Sequence, residues 1–104
     1  MSVNQQIESL IKENAIVLFM KGTASFPQCG FSGRAVQILK TCWVDPKAIK
    51  TVNVLDEPEI REAIKTFSNW PTIPQFYYKG EFIGGSDIML EMYESGEMHK
   101  LLAA

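Results

Sequence analysis

Apolar residues recur at Val3, Ile7, Leu10 and Ile11, the spacing of one helix face, so the chain opens with an amphipathic helix. Ala15-Ile16-Val17-Leu18-Phe19-Met20 is apolar at every position, as in a strand buried on both sides. Gly22, Ser25 and Pro27 break the next stretch, Lys21 to Gln28, into a loop. From Gly30 to about Cys42, the positions Phe31, Ala35, Val36, Ile38 and Leu39 predict a second helix. Thr51 to Leu55 reads as a second strand. Asp56-Glu57-Pro58-Glu59 then predicts a helix start, with Asp56 as cap, Pro58 in the first turn and Glu59 closing a capping box. That helix runs to about Phe67. Gln75 to Tyr78 and Glu81 to Ile83, joined by Lys79-Gly80, form a hairpin with a two-residue turn. After Gly84-Gly85, Ser86 or Asp87 caps a helix carrying Ile88, Met89, Met92 and Tyr93, and a short tail helix follows Gly96.

The order α-β-α-β-α-β-β-α predicts an α/β domain: a four-stranded mixed sheet with helices on both faces, in the thioredoxin-like order. Its 104 residues fit one domain, 1–104, large enough to bury its own core without disulfide staples. No repeat, low-complexity tract or linker interrupts it. The formal charge of −2 provides no bulk case for nucleic-acid binding, and no stretch is long and apolar enough to span a membrane. Residues 1–6 carry neither a secretory signal pattern nor an Arg-rich transit pattern, and two cysteines are too few for a secreted disulfide framework. A reducing compartment is expected: a bacterial cytoplasm, or an organellar matrix or stroma after removal of a transit peptide.

The chemistry centres on Cys29, which stands where the loop meets the second helix. A thiol there faces unpaired backbone N–H groups and the positive end of the helix dipole, and both favour the thiolate. A lone cysteine is more often buried filler, but Pro27, Gln28 and Gly30 mark this one as an exposed corner. Ser32 occupies the position of a second thiol in a Cys-x-x-Cys pair, so no disulfide can close there and a mixed disulfide at Cys29 needs an outside thiol. Cys42 lies near the far end of the same predicted helix, roughly 20 Å away at helical rise, beyond disulfide reach. It reads as a structural residue.

Trp70-Pro71-Thr72-Ile73-Pro74 stops a helix just before a strand, and an Ile73-Pro74 bond can be cis in a tight turn. A cis bond would expose the Ile73 backbone to an extended ligand, whereas the plain alternative is a rigid turn. Ser86 and Asp87 at a helix start could hold a carboxylate on their N–H groups and an ammonium on the Asp87 carboxylate, or serve only as a cap. Lys21, and Arg61 with Lys65 four residues on, are ordinary surface cations unless they converge on one groove, where they would bind an anionic ligand. His99, the single histidine, has no ligand partner at metal spacing, and Met89, Met92 and Met98 read as packing.

Taken together, Pro27-Gln28-Cys29-Gly30-Phe31-Ser32, Trp70 to Gln75 and Gly80 to Ile88 resemble the monothiol glutaredoxins with a Cys-Gly-Phe-Ser active site, over nearly the whole chain. The resemblance implies a homodimer in which two Cys29 thiolates and two glutathiones share one [2Fe–2S] cluster, used in iron–sulfur assembly and iron homeostasis. It assigns the glutathione glycyl carboxylate to Lys21, Arg61 and Lys65, its backbone to Ile73 with a cis Pro74, and its γ-glutamyl end to Ser86 and Asp87. Thr72 and Phe31 would shape the groove. Implied partners are iron–sulfur scaffold and acceptor proteins and a BolA-like protein. A cluster carrier with at most weak glutathione-dependent oxidoreductase activity is expected. The alternatives are protein deglutathionylation through Cys29 and an iron-sensing adaptor. Two features depart from the family: Ser86 stands where many members carry a cysteine, and residues 41–48 differ from the usual helix-to-strand connection.

Overall fold

A computed structural model describes residues 2–42 and 44–103 of the chain. Five helices and four strands follow in order: α1 (Val3–Glu13), β1 (Ile16–Met20), α2 (Gly30–Thr41), β2 (Ile49–Asn53), α3 (Pro58–Ser68), β3 (Gln75–Tyr78), β4 (Glu81–Gly84), α4 (Ser86–Ser95) and α5 (Glu97–Ala103), with one 3-10 turn over Pro46–Ala48. The sheet order is β2-β1-β3-β4. β1 runs parallel to β2, with Ile16 opposite Ile49, and antiparallel to β3, with Ile16 opposite Tyr78. The predicted mixed, thioredoxin-like sheet is the observed one.

Strand β1 is buried at all five positions because it is central and covered on both faces. Its side chains alternate between two cores. Ile16, Leu18 and Met20 pack with Ala35, Leu39, Phe76 and Met89, under α2 and α4. Val17 and Phe19 pack with Ile7, Ile11, Ile60, Ile64 and Tyr77, under α1 and α3. The period-two geometry of one strand thus sets which helices lie on which side of the sheet. Complete burial of a side chain such as Leu18 or Phe19 contributes about 1.5–3 kcal/mol.

Helix α1 begins at a capping box: Gln5 N donates to Ser2 Oγ at 3.2 Å, and Ser2 N donates to Gln5 Oε1 at 2.9 Å. The hairpin turn is as expected. Lys79 and Gly80 both take positive φ, 49° and 84°, as a type I′ turn requires. The tail helix is α5.

Three local expectations are corrected. The second strand spans Ile49–Asn53, two residues earlier than the apolar pattern of 51–55 suggests. The 3-10 turn delivers the chain to β1 at Ile49, and Asn53 ends the strand by accepting from Leu55 N at 3.0 Å. Leu55 points outward, 45% exposed. Helix α3 has no Asp56 cap and no capping box: Glu57 is the N-cap residue and makes no side-chain cap bond. Asp56 instead accepts from Asn53 Nδ2 at 3.2 Å, while Pro58 starts the helix at a position where its missing N–H costs nothing. Helix α4 is preceded by Gly85 as N-cap, so Ser86 and Asp87 both lie inside the first turn and neither caps it. Within the unusual connection 41–48, Trp43 lies outside the described residues.

Candidate functional site

Strand β1 ends at the fully buried Met20 and hands the chain to Lys21. The following loop folds on itself. Gln28 N donates to Lys21 O at 2.9 Å, Thr23 and Phe26 exchange backbone bonds at 3.2 Å, and Gly22 pairs with Pro27. Gly22 has φ +92°, and a Cβ there would lie 2.5 Å from Gln28 N and 2.6 Å from Phe26 O. Only glycine lets the two arms of this loop close so tightly. The closed loop brings Cys29 in as the N-cap residue of α2, beside Lys21.

The neutral Cys29 thiol makes no capping bond. Its ionised form is favoured, and its pKa lies below the ordinary thiol value. The Ser32 backbone N–H is the largest cause, and partial burial opposes it. The Phe31 N–H, the Lys21 charge and the Ser32 hydroxyl add to the lowering. Ser32 is fully buried, and its Oγ also accepts from Lys21 N at 3.0 Å. The serine that replaces a second thiol therefore ties the start of α2 to the end of β1.

Cys29 opens into a cavity of about 470 Å³. Lys21, Arg61 and Lys65 line it together, so the three cations separated by up to 44 positions in the chain do converge. Arg61 Nε is buried there without a protein acceptor, and Lys65 has a loose pair with Glu62 at 3.6 Å. The wall is Thr72, Ile73 and Pro74, joined by the expected cis Ile73–Pro74 bond. Gln75, fully buried, braces this turn: its Nε2 donates to Trp70 O at 3.0 Å and to Thr72 O at 3.2 Å. Ser86 and Asp87 close the remaining side from the first turn of α4. Ser86 Oγ is buried and has no protein partner. Phe31, 55% exposed, forms part of the rim.

Trp70 and Gly85 also line the cavity. The indole lies against bare backbone: a Cβ on Gly85 would meet Trp70 Nε1 at 3.1 Å and Pro74 O at 3.2 Å. The bare Gly84-Gly85 pair before the helix is the sequence signal for this close approach. A second groove of equal volume lies between α1, β2 and the start of α3, lined by neither cysteine.

Cys42 sits at the opposite end of α2 as its C-cap residue, buried in the core with Leu39 and Met98. Burial pushes its thiol above the ordinary value. The 12-residue helix separating the two cysteines spans about 18 Å. His99 stacks beside Tyr93, ring centroids 5.9 Å apart, outside the cavity. Among the described residues no three His, Cys, Asp or Glu side chains gather as a metal site, and no helix is long and apolar enough to cross a membrane.

A mixed four-stranded sheet, a cysteine at a helix N-terminus and a cis-proline in the same cavity define a thioredoxin-like protein with one thiol facing its cavity. Comparison with known proteins narrows the class. The Glutaredoxin family profile matches residues 16–83. Monothiol glutaredoxin-5, mitochondrial, of Schizosaccharomyces pombe is 56% identical over 98 residues, covering 94% of this chain and 67% of that protein. A monothiol glutaredoxin ycf64-like protein of Synechocystis is 50% identical over 97 residues, covering 93% of this chain and 88% of that protein. The solution structure of reduced poplar apo GrxS14 superposes with a TM-score of 0.83 at 42% identity, covering 98% of this chain and 91% of that one. A buckwheat glutaredoxin crystallised as a glutathione complex shares the fold, with a TM-score of 0.83 at 22% identity over 97% of this chain and 87% of its own. The chain belongs to the glutaredoxin family, among its monothiol members. Those relatives include mitochondrial and bacterial proteins.

Proposed function

We propose that this protein binds glutathione in the Cys29 cavity and, as a glutathione-bridged homodimer, carries one [2Fe–2S] cluster as cargo for iron–sulfur assembly. The observation that carries the reading is the convergence of Lys21, Arg61 and Lys65 with Asp87 on the one cavity that Cys29 lines. Three cations suit a carboxylate at one end, and Asp87 beside a helix N-terminus suits an amino-acid end at the other. Glutathione has these two ends and a thiol between them.

On this reading Lys21, Arg61 and Lys65 hold the glycyl carboxylate, and the Ile73 backbone, in the cavity wall, pairs with the tripeptide. The first turn of α4, with Ser86 and Asp87, holds the γ-glutamyl group, and Thr72 and Phe31 shape the groove between. The bound thiol then lies near Cys29. One protein thiolate per chain cannot hold a [2Fe–2S] cluster, which takes four sulfur or nitrogen ligands. Two Cys29 and two glutathione thiolates complete the set, and a ligand set half made of a diffusible tripeptide suits cargo that must be released. Iron–sulfur scaffold and acceptor proteins, and a BolA-like protein, are the partners this role needs, in a bacterial cytoplasm or an organellar matrix.

The lowered Cys29 pKa supports a second reading, deglutathionylation. The Cys29 thiolate would attack the glutathione sulfur of a protein–glutathione disulfide. The protein leaves as its thiolate, and Cys29 is left disulfide-bonded to glutathione. With Ser32 in place of a second thiol, only an outside thiol can reduce that bond.

Anaerobic reconstitution with iron, sulfide and glutathione, followed by visible absorbance and sizing, separates the two. A coloured, glutathione-dependent dimer with one cluster per two chains is the expected result. A colourless protein that nevertheless removes glutathione from proteins would overturn the carrier reading and establish the second.

A further inference from the structure

Asp87 already has a partner. Arg34 Nη1 lies 3.7 Å from Asp87 Oδ1, and this is the only ion pair Asp87 makes among the described residues. Arg34 stands two residues beyond Ser32 on α2, and its guanidinium carbon lies 5.9 Å from the Phe31 ring centroid, so the aromatic rim residue steadies it. Asp87 lines the Cys29 cavity, but Arg34 does not. The cation therefore reaches the ligand-facing acid from outside the cavity wall.

We propose that Arg34 is a specificity-determining residue that competes with the α-ammonium of a γ-glutamyl ligand for Asp87, so that it holds affinity for that end down. The proposal rests on the glutathione reading above. Its physical basis is charge: a carboxylate facing a guanidinium attracts an incoming ammonium less than a free one does. The pair is loose enough to yield. Its 3.7 Å separation exceeds hydrogen-bond length, it uses one carboxylate oxygen, and the side chains are 45% and 88% exposed. An exposed pair of this kind is worth about 0.2–1 kcal/mol. It therefore lowers affinity a few-fold without blocking the site, the range that suits a ligand meant to exchange. Lys65 of the same wall makes a comparable loose pair, with Glu62 on its own helix at 3.6 Å.

The test is binding by the reduced, iron-free full chain. Wild type and Arg34→Gln are titrated with glutathione and with glutaryl-cysteinylglycine, the analogue that lacks only the α-amino group. R34Q is expected to bind glutathione roughly two- to five-fold more tightly and the deamino analogue no differently. The gain is expected to vanish when R34Q is combined with Asp87→Asn. Equal weakening of both ligands by R34Q would make Arg34 a carboxylate anchor and overturn the proposal. So would a normal wild-type isotherm with R34Q unmoved. If neither wild type nor R34Q shows saturable glutathione binding, the glutathione reading falls and the competition with it.

Discussion

Gly22→Ala should cost far more than a surface methyl normally does, because three separate features at that residue forbid a side chain. Its φ of +92° is a conformation that disfavours an L side chain by about 1–2 kcal/mol. The added carbon would sit 2.5 Å from Gln28 N and 2.6 Å from Phe26 O, both backbone atoms that cannot rotate away. Relieving that overlap must open the loop, breaking the 2.9 Å bond from Gln28 N to Lys21 O and straining the one from Gly22 N to Asn53 Oδ1. Each such bond contributes about 0.5–1.5 kcal/mol, so the whole loss comes to about 2–4 kcal/mol. For a chain of this size that lowers the thermal midpoint by roughly 10–20 °C. Gly96→Ala is the control, since Gly96 also has positive φ, 84°, but nothing within 4 Å of the added carbon. It should lose only the conformational part. Urea denaturation of both variants gives the difference, and amide exchange at Gln28 reports the loop directly. A G22A loss no greater than that of G96A, with the Gln28 amide still protected, would refute the steric account and the idea that this loop holds Cys29 in position.

Peptide-resolved alkylation across a pH series should show Cys29 reacting at lower pH than Cys42, since Ser32 N–H lowers one thiol and burial raises the other. Parallel profiles would contradict both environments. By linkage the Cys29 shift contributes stability above the unfolded-state thiol pKa that is lost as pH falls through the folded value, whereas the Cys42 contribution is present at low pH and lost as pH rises through its own. Ser32→Ala should cost about 1–3 kcal/mol, because Lys21 N loses its acceptor, and should move the Cys29 alkylation curve to higher pH. Unchanged stability in denaturant would refute that bond's role. Cys29→Ser is expected to abolish cluster assembly and Cys42→Ser to leave it intact. The opposite pattern in reconstituted absorbance would reverse the ligand assignment.

Elements with strong periodicity were legible from the residues alone. The short unbroken apolar run of β1 has the pattern of a strand covered on both faces, and Lys79-Gly80 between two short runs has that of a tight turn. The misses share a cause. Thr51 to Leu55 looks more strand-like than Ile49 to Asn53, but strand limits are set by pairing with β1, which local hydrophobicity cannot register. Asp56 and Ser86 have the chemistry of caps. Asp56 found a side-chain partner in Asn53, and the backbone at Gly85 entered the helix one residue earlier than Ser86. Trp70 was visible only as part of a Pro-rich turn, since its value to the cavity depends on Gly85 and Pro74 lying beneath it.

The cation group is the clearest case of chemistry that exists only after folding. The chain as a whole is acidic by two charges, and Lys21 lies 40 residues before Arg61. What joins them is the parallel pairing of β1 and β2. Val54 N donates to Met20 O at 2.9 Å, and Gly22 N donates to Asn53 Oδ1 at 2.9 Å, so the two strands end side by side. The segment leaving β2 is tied to the segment leaving β1, and α3, which starts four residues beyond Val54, runs beside the Lys21 loop with Arg61 and Lys65 on the cavity side. A parallel pair with its crossover helix fixes the C-terminal ends of both strands at one end of the sheet. The thiol joins the same end because the Gly22 loop returns to start α2 there. Local positive charge on a globally acidic chain is therefore a product of topology. A substitution that shifts β2 relative to β1, such as one at Asn53, would disperse the cations without touching any of them.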